Sequence, residues 1–227
     1  MNAEDDAPPA ATYASPPCFM HEVDPLYGGA DEPARPTPEW TDVKRWRKAE
    51  RQRLIETRLA IDADLRALHA SAIAEFVNEQ VGEAMGKVIS LYWPFRGEPD
   101  LRVLIEHFTA FGARCALPVV VEQGKPLIFK EWKPGDRLER GIWNIPVPAD
   151  GADILPDVVI APVVGFDPAL YRLGYGGGFY DRTLAALPKR PLVIGVGYEM
   201  ARLLTIYPQP HDIPMDIIVT ERGVAVS

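Results

Sequence analysis

Four glycines in five positions, Gly174, Gly176, Gly177 and Gly178, stand between Arg172-Leu173 and the run Phe179-Tyr180-Asp181-Arg182. Glycine lets backbone N–H groups come close to a phosphate, and a helix starting at the end of such a loop adds positive dipole. Arg172 can clamp phosphate oxygens, and Asp181 is placed to hold a magnesium ion. The spacing is not that of a P-loop, which ends in Gly-Lys-Ser/Thr, nor that of the dinucleotide fingerprint. The bland alternative is a flexible turn. Arg172, Tyr180, Asp181 and Arg182 crowd the glycines too closely for a mere linker.

Such a loop works only if elements around it hold it in place. Asp157 to Val164 is a near-continuous apolar run of the kind found at the centre of a parallel sheet, and it lies just upstream of the loop. Further strands are expected at 87–93, 114–121, 126–132, 191–196 and 217–220, the last closing the sheet. Helices are expected from Thr41 (as N-cap) through Leu59, over 62–81, over 99–111 and from Phe179 to Leu187. Strands alternating with helices give an α/β fold with a mainly parallel sheet and helices on both faces. In such sheets ligands bind at the carboxyl ends of the strands, where the glycine loop falls.

The segment Arg172–Arg182 resembles the signature of the 5-formyltetrahydrofolate cyclo-ligase family, also called 5,10-methenyltetrahydrofolate synthetases. Gly97-Glu98-Pro99-Asp100, Gly141-Ile142-Trp143-Asn144-Ile145-Pro146, His211-Asp212 and Asp216–Glu221 are similar to its other motifs. The likeness runs from about Thr41 to Arg222. It implies a fold related to the ribose-phosphate isomerase and coenzyme A transferase group. It also implies ATP- and magnesium-dependent closure of 5-formyltetrahydrofolate to the 5,10-methenyl form.

Carried over residue by residue, the resemblance gives ATP to Arg172, Leu173, Gly174, Tyr175, Gly176, Gly177, Gly178, Phe179 and Tyr180. Arg172 and Tyr180 are its candidate catalytic residues. Tyr175 to Phe179 would also face the folate, with Glu98 accepting from the pterin ring and Trp93 lying against it. Asp181 and Asp212 match magnesium ligands. A lysine and an arginine of the first helix, four residues apart, would reach the ATP phosphates. Lys44 and Lys48 have that spacing, as do Arg47 and Arg51, so the register stays open. For Trp93 the alternative is a strand-end core aromatic, for Glu98 a solvated turn carboxylate, and for Asp212 a cap. The chain departs from the family pattern at Leu170, where a glycine is usual, and at Pro94, where serine or threonine is. Those departures leave two other readings: a folate- or nucleotide-binding protein without turnover, or a related enzyme acting on another formylated substrate.

Composition narrows the classes further. Of the net charge of −8, residues 1–40 carry eight acids against one base, together with eight of the 23 prolines. Residues 1–40 are expected to form a proline-rich, largely irregular arm, with one apolar patch at Cys18–Val23, ahead of an α/β domain over 41–227. Overall acidity argues against nucleic acid as a partner. No run approaches the roughly 18 apolar residues of a membrane helix, and the start lacks signal-peptide features, so the expected compartment is the cytoplasm. Two cysteines, Cys18 and Cys115, make no disulfide framework. The expected partners are small molecules only, a reduced formyl-folate and ATP, for a monomer or homodimer.

Overall fold

The computed structural model describes residues 38–225. The arm and its Cys18–Val23 patch therefore lie outside the described residues, except that 38–40 are helical. Helix α1 spans Pro38–Leu59, so it begins before Thr41, which is an exposed residue inside it rather than its N-cap. Proline suits a helix's first turn because the N–H it lacks would go unbonded there. Helix α2 (Ala63–Val81) starts where Asp62 accepts a hydrogen bond from the Asp64 N–H.

Strand β1 (Val88–Ser90), helix α3 (Arg102–Ala110) and strand β2 (Arg114–Val119) form a strand–helix–strand unit. Next come β3 (Ile128–Glu131), the hairpin strands β4 (Leu138–Arg140) and β5 (Pro146–Pro148), and β6 (Val158–Pro162). A second hairpin, β7 (Gly165–Phe166) with β8 (Arg172–Leu173), leads into α4 (Phe179–Ala186). Strands β9 (Leu192–Val196), β10 (Ile217–Thr220) and β11 (Gly223–Val224) end the chain's regular structure.

The main sheet runs β11-β10-β9-β6-β1-β2-β3. Its five central strands pair in parallel, and β3 and β11 add antiparallel edges. Residues 217–220 therefore do not close the sheet, because β11 pairs beyond them. Side chains alternate across the sheet as the strand period requires. Ile89, Ile160, Ile194 and Val219 pack with Ile73 and Val77 of α2 and with Ile105 and Phe108 of α3. On the other face Val159, Ala161, Val193 and Ile218 pack with Leu184 of α4. Both faces are covered, as an all-apolar central strand demands.

From β1 the chain moves to one side of the sheet, and from β6 it moves to the other. The switch point is therefore between β1 and β6, which pair through Ile89–Val158 and Ser90–Val159. A crevice at the carboxyl ends of those two strands is the ligand position of such sheets. Two loops rise there: residues 91–101 after β1, and the β7–β8 hairpin with the glycine loop after β6. Helix α1 lies against the second loop, since Leu54 packs with Val164, Leu173, Ala201 and Ile206.

The turn of the β7–β8 hairpin explains the departure at residue 170. Asp167 is buried and accepts from the N–H groups of Ala169, Tyr171 and Ile206. Closing that turn puts Leu170 at φ +63°, a conformation costing a leucine about 1–2 kcal/mol. The leucine side chain recovers part of this by packing against the second core cluster. Leu170→Gly should thus change stability by less than about 1 kcal/mol, because relieved strain offsets lost burial and added chain entropy. A loss above about 3 kcal/mol in urea titrations, typical of truncating a core leucine, would show the strain to be absent.

Candidate active site

The glycine loop is held from beneath by α1. The Arg51 Nε donates to the Gly174 carbonyl at 2.6 Å. A Cβ on Gly176, which has φ +96°, would lie 3.2 Å from the Arg51 guanidinium carbon. Gly178 adopts φ +61° at the start of α4. Glycine at these two positions lets the backbone turn left-handed against arginine side chains. Burial first, and the like charge of Arg47 second, hold Arg51 below its ordinary pKa, with Asp212 opposing.

Behind the loop runs a chain of ion pairs. The Arg172 Nη2 donates to Asp181 Oδ2 at 2.8 Å, and Asp181 Oδ1 accepts from the Ile213 N–H at 3.1 Å. One residue earlier, Asp212 Oδ2 accepts from the Arg47 Nη2 at 2.5 Å and from the Gln209 N–H at 2.7 Å. Arg47 also donates to the carbonyls of Ile206 and Tyr207. Burial alone would raise the Asp212 carboxyl, but the hydrogen bonds from Arg47 and Gln209 outweigh it and hold the carboxyl below the usual range. Arg172 is 8% exposed, yet its Nη1 has no hydrogen-bond partner within the protein. A buried guanidinium nitrogen left open costs free energy unless an anion meets it.

The other wall is the loop after β1. Glu98 is 4% exposed. Its Oε2 accepts from the Phe95 N–H at 2.9 Å and its Oε1 from the Tyr175 hydroxyl at 2.7 Å. The carbonyls on either side of it are pinned too, Gly97 by the Tyr198 hydroxyl and Pro99 by the Tyr92 hydroxyl. Burial pushes the Glu98 carboxyl up, against the Tyr175 hydrogen bond, the Arg58 charge and the Phe95 N–H. Burial also raises the hydroxyl pKa of Tyr175 and of Tyr180, so both stay protonated at neutral pH.

The structure thus joins Glu98, the glycine loop, Arg172, Tyr180, Asp181, Arg47 and Asp212 around one crevice. Tyr180 lies with its ring 5.4 Å from the Arg172 guanidinium carbon. Leu173 supplies its side chain to the core rather than to the crevice. In the first helix it is Arg47 and Arg51 that turn inward, while Lys44 and Lys48 are exposed. The ring contacts of Trp93 are with Trp132 and Arg102, in a groove of about 590 Å³ that contains no glycine-loop residue.

The expected magnesium ligands are a different matter. Asp181 and Asp212 each face an arginine, and no group of three or more His, Cys, Asp or Glu side chains that could hold a metal forms among the described residues. Magnesium that accompanies a nucleotide takes one or two carboxylates beside phosphate oxygens, and here the oxygens of Asp181 and Asp212 are engaged by Arg172, Arg47 and backbone N–H groups. In this arrangement the two aspartates anchor arginines.

Three residues were overlooked or left open in the sequence. Arg51 and Arg58 stood among the many bases of α1; their spacing from Arg47 and Leu54, repeating every three to four residues, was the available signal. Trp143 sits inside a recognised motif with no role assigned. It adopts φ +57°, Asn144 follows at φ +62°, and the half-exposed indole meets Phe179 edge-on at 5.6 Å. Two adjacent left-handed non-glycine residues mark strain of the kind kept at ligand sites.

A mainly parallel sheet with a glycine loop, a buried carboxylate and an arginine nitrogen without a protein partner near its switch point defines an α/β protein with a candidate ligand site there. The family model for 5-formyltetrahydrofolate cyclo-ligases matches residues 43–221. A cyclo-ligase of Mycolicibacterium smegmatis is 30% identical over 183 residues, 77% of this chain and 93% of that protein. One from Escherichia coli K12 is 34% identical over 147 residues, 62% of this chain and 81% of that protein. The solved 5,10-methenyltetrahydrofolate synthetase of Aquifex aeolicus superposes with a TM-score of 0.68 at 26% identity, covering 79% of this chain and 92% of that one. That of Mycoplasma pneumoniae has a TM-score of 0.65 at 22% identity, over 77% and 98%, a likeness of fold. The chain belongs to the 5-formyltetrahydrofolate cyclo-ligase family.

Proposed function

We propose that the protein closes 5-formyltetrahydrofolate to 5,10-methenyltetrahydrofolate at the expense of ATP, releasing ADP and phosphate. The observation that carries this reading is buried Arg172, with an Nη1 that has no protein partner, at the head of a glycine loop whose Tyr175 hydroxyl meets the buried Glu98 carboxylate. One wall of the crevice suits phosphate and the other suits N–H donors of a heterocycle.

The formyl oxygen is a poor leaving group. Transfer of the γ-phosphoryl group of ATP onto it makes it a good one, and N10 of the folate then attacks the formyl carbon. The carbon–oxygen bond breaks, phosphate departs with both electrons, and the N10 proton is lost to water. Such chemistry needs positioning and charge neutralisation more than a covalent nucleophile. Arg172 would neutralise charge on the transferring group, with Tyr180 packed beside it. Loop N–H groups from Gly174 to Phe179 would hold the phosphates, with Arg47 and Arg51 behind them. Glu98 would orient the pterin, and Tyr175, Phe179 and Trp143 would cover it. The magnesium that accompanies ATP in solution takes phosphate oxygens as ligands, and no residue of this chain is assigned to it.

Purified protein with ATP, magnesium and 5-formyltetrahydrofolate should develop the near-ultraviolet absorbance of the methenyl product, one ADP per product. Binding of both compounds by calorimetry with neither product nor ADP formed would replace this reading with that of a binding protein.

A further inference from the structure

One buried charge has no part in the reaction just described. Arg58 lies one residue from the end of α1 and is 3% exposed. Its guanidinium touches three segments that meet at the switch point. Nε donates to the Arg96 carbonyl at 2.9 Å, on the loop carrying Glu98. Nη1 reaches the Val163 carbonyl at 3.5 Å, just past β6. Nη2 donates to the Tyr175 hydroxyl at 2.6 Å, in the glycine loop. An arginine can only donate, so the tyrosine oxygen is the acceptor there, and its single proton has Glu98 Oε1 at 2.7 Å as its near acceptor, with the Phe95 carbonyl farther off at 3.5 Å.

We propose that Arg58 is a positioning residue for Glu98, acting through the Tyr175 hydroxyl to fix the carboxylate and the direction of its free lone pairs. The proposal rests on the reading of Glu98 as the folate ligand, and its test separates the two. While Arg58 holds the oxygen, the hydroxyl proton is left to the carboxylate at 2.7 Å rather than to the Phe95 carbonyl at 3.5 Å. The carboxylate therefore keeps an acceptor-only face toward the crevice. The same cation counters the cost of burying the Glu98 charge. The other titratable groups around Glu98 are Tyr92 after β1, Tyr180 on α4 and Tyr198 after β9, with Arg66 of α2 acting on Tyr198. The three tyrosines stay neutral at physiological pH, which leaves Arg58 as the charged group that steers Glu98.

The test compares the parent with Arg58→Met, Arg58→Lys and Tyr175→Phe. Its first readout is the Glu98 carboxyl titration, followed by NMR of protein carrying 13C-labelled glutamate and assigned with Glu98→Gln. Removing the cation disfavours the charged carboxylate, so in Arg58→Met the titration moves to higher pH. The acid limb of kcat/KM for 5-formyltetrahydrofolate moves the same way, with a loss of about 10-fold below neutral pH. KM for ATP stays within about 2-fold, and Arg58→Lys recovers part of both changes. A folded Arg58→Met protein with an unmoved Glu98 titration and equal losses toward both substrates would overturn the proposal. Should Arg58→Met fail to fold, Tyr175→Phe decides alone, because it cuts the link and keeps the arginine; an unmoved titration there overturns the proposal as well. A titration that moves while the folate profile does not upholds the Arg58–Glu98 link and removes Glu98 as the folate ligand.

Discussion

Asp181→Asn is expected to lower kcat about 10²–10³-fold, the scale of losing a main electrostatic stabiliser, without changing the magnesium concentration at which activity saturates. Asp181 is the carboxylate that orients Arg172, and the amide that replaces it accepts a weaker hydrogen bond and supplies no charge. The guanidinium is then free to leave the position in which its Nη1 has no protein partner. Because the pair is largely buried, removing one partner should also cost about 3 kcal/mol of stability, visible as a lower Tm. Initial rates across a magnesium series, with melting curves on the same samples, measure both effects. Recovery of activity at high magnesium would identify Asp181 as a metal ligand and overturn its role as an anchor for Arg172.

Glu98→Gln separates function from stability in the opposite sense. It should raise KM for 5-formyltetrahydrofolate about 10–100-fold, the value of a hydrogen bond to a charged acceptor, and leave KM for ATP near the parent's. Burial holds the folded-state Glu98 pKa above that of the unfolded chain. Between the two values the folded protein binds a proton that the unfolded chain has released, so stability falls as pH rises through that window. Glutamine abolishes this loss. Above the window the variant should melt at or above the parent's temperature, while acid pH brings the two together. A variant that melts well below the parent at pH 8 would show that Arg58 needs the carboxylate more than burial penalises it.

Much of this was legible because the strong signals are local. The apolar run at Asp157–Val164 has no solvated face to offer, so it had to be a central strand, and β6 lies in the middle of the sheet. The glycines of 174–178 could be placed at a strand's carboxyl end because a loop of that composition needs a strand before it and a helix after it. The β7–β8 hairpin was not legible: two-residue strands have no periodicity to read, and Asp167 closes the turn through hydrogen bonds that composition does not reveal. The inward face of α1 was ambiguous for a related reason. With bases at 44, 45, 47, 48, 51, 53 and 58, every register offers a basic stripe, and only the docking of Leu54 selects Arg47, Arg51 and Arg58. The arginine pairing of Asp181 and Asp212 was not legible, because a carboxylate that binds a metal and one that pairs with an arginine look alike until the arginine's place in space is known. Arg172 is nine residues from Asp181, and Arg47 is 165 residues from Asp212.

That last separation bears on how the molecule assembles. Contacts between segments far apart in the chain form late, because the loop they close must first lose its freedom. During synthesis α1 leaves the ribosome with neither Asp212 nor Ile206 yet made, and it has no hydrogen-bonding destination for Arg47 until the chain passes both. The sheet strands from β1 to β9 can meanwhile settle on α2 and α3. The Arg47 end of α1 is thus fastened only after residues 206–212 are made, whereas its other end already has partners at Arg96, Val163 and Gly174 for Arg58 and Arg51.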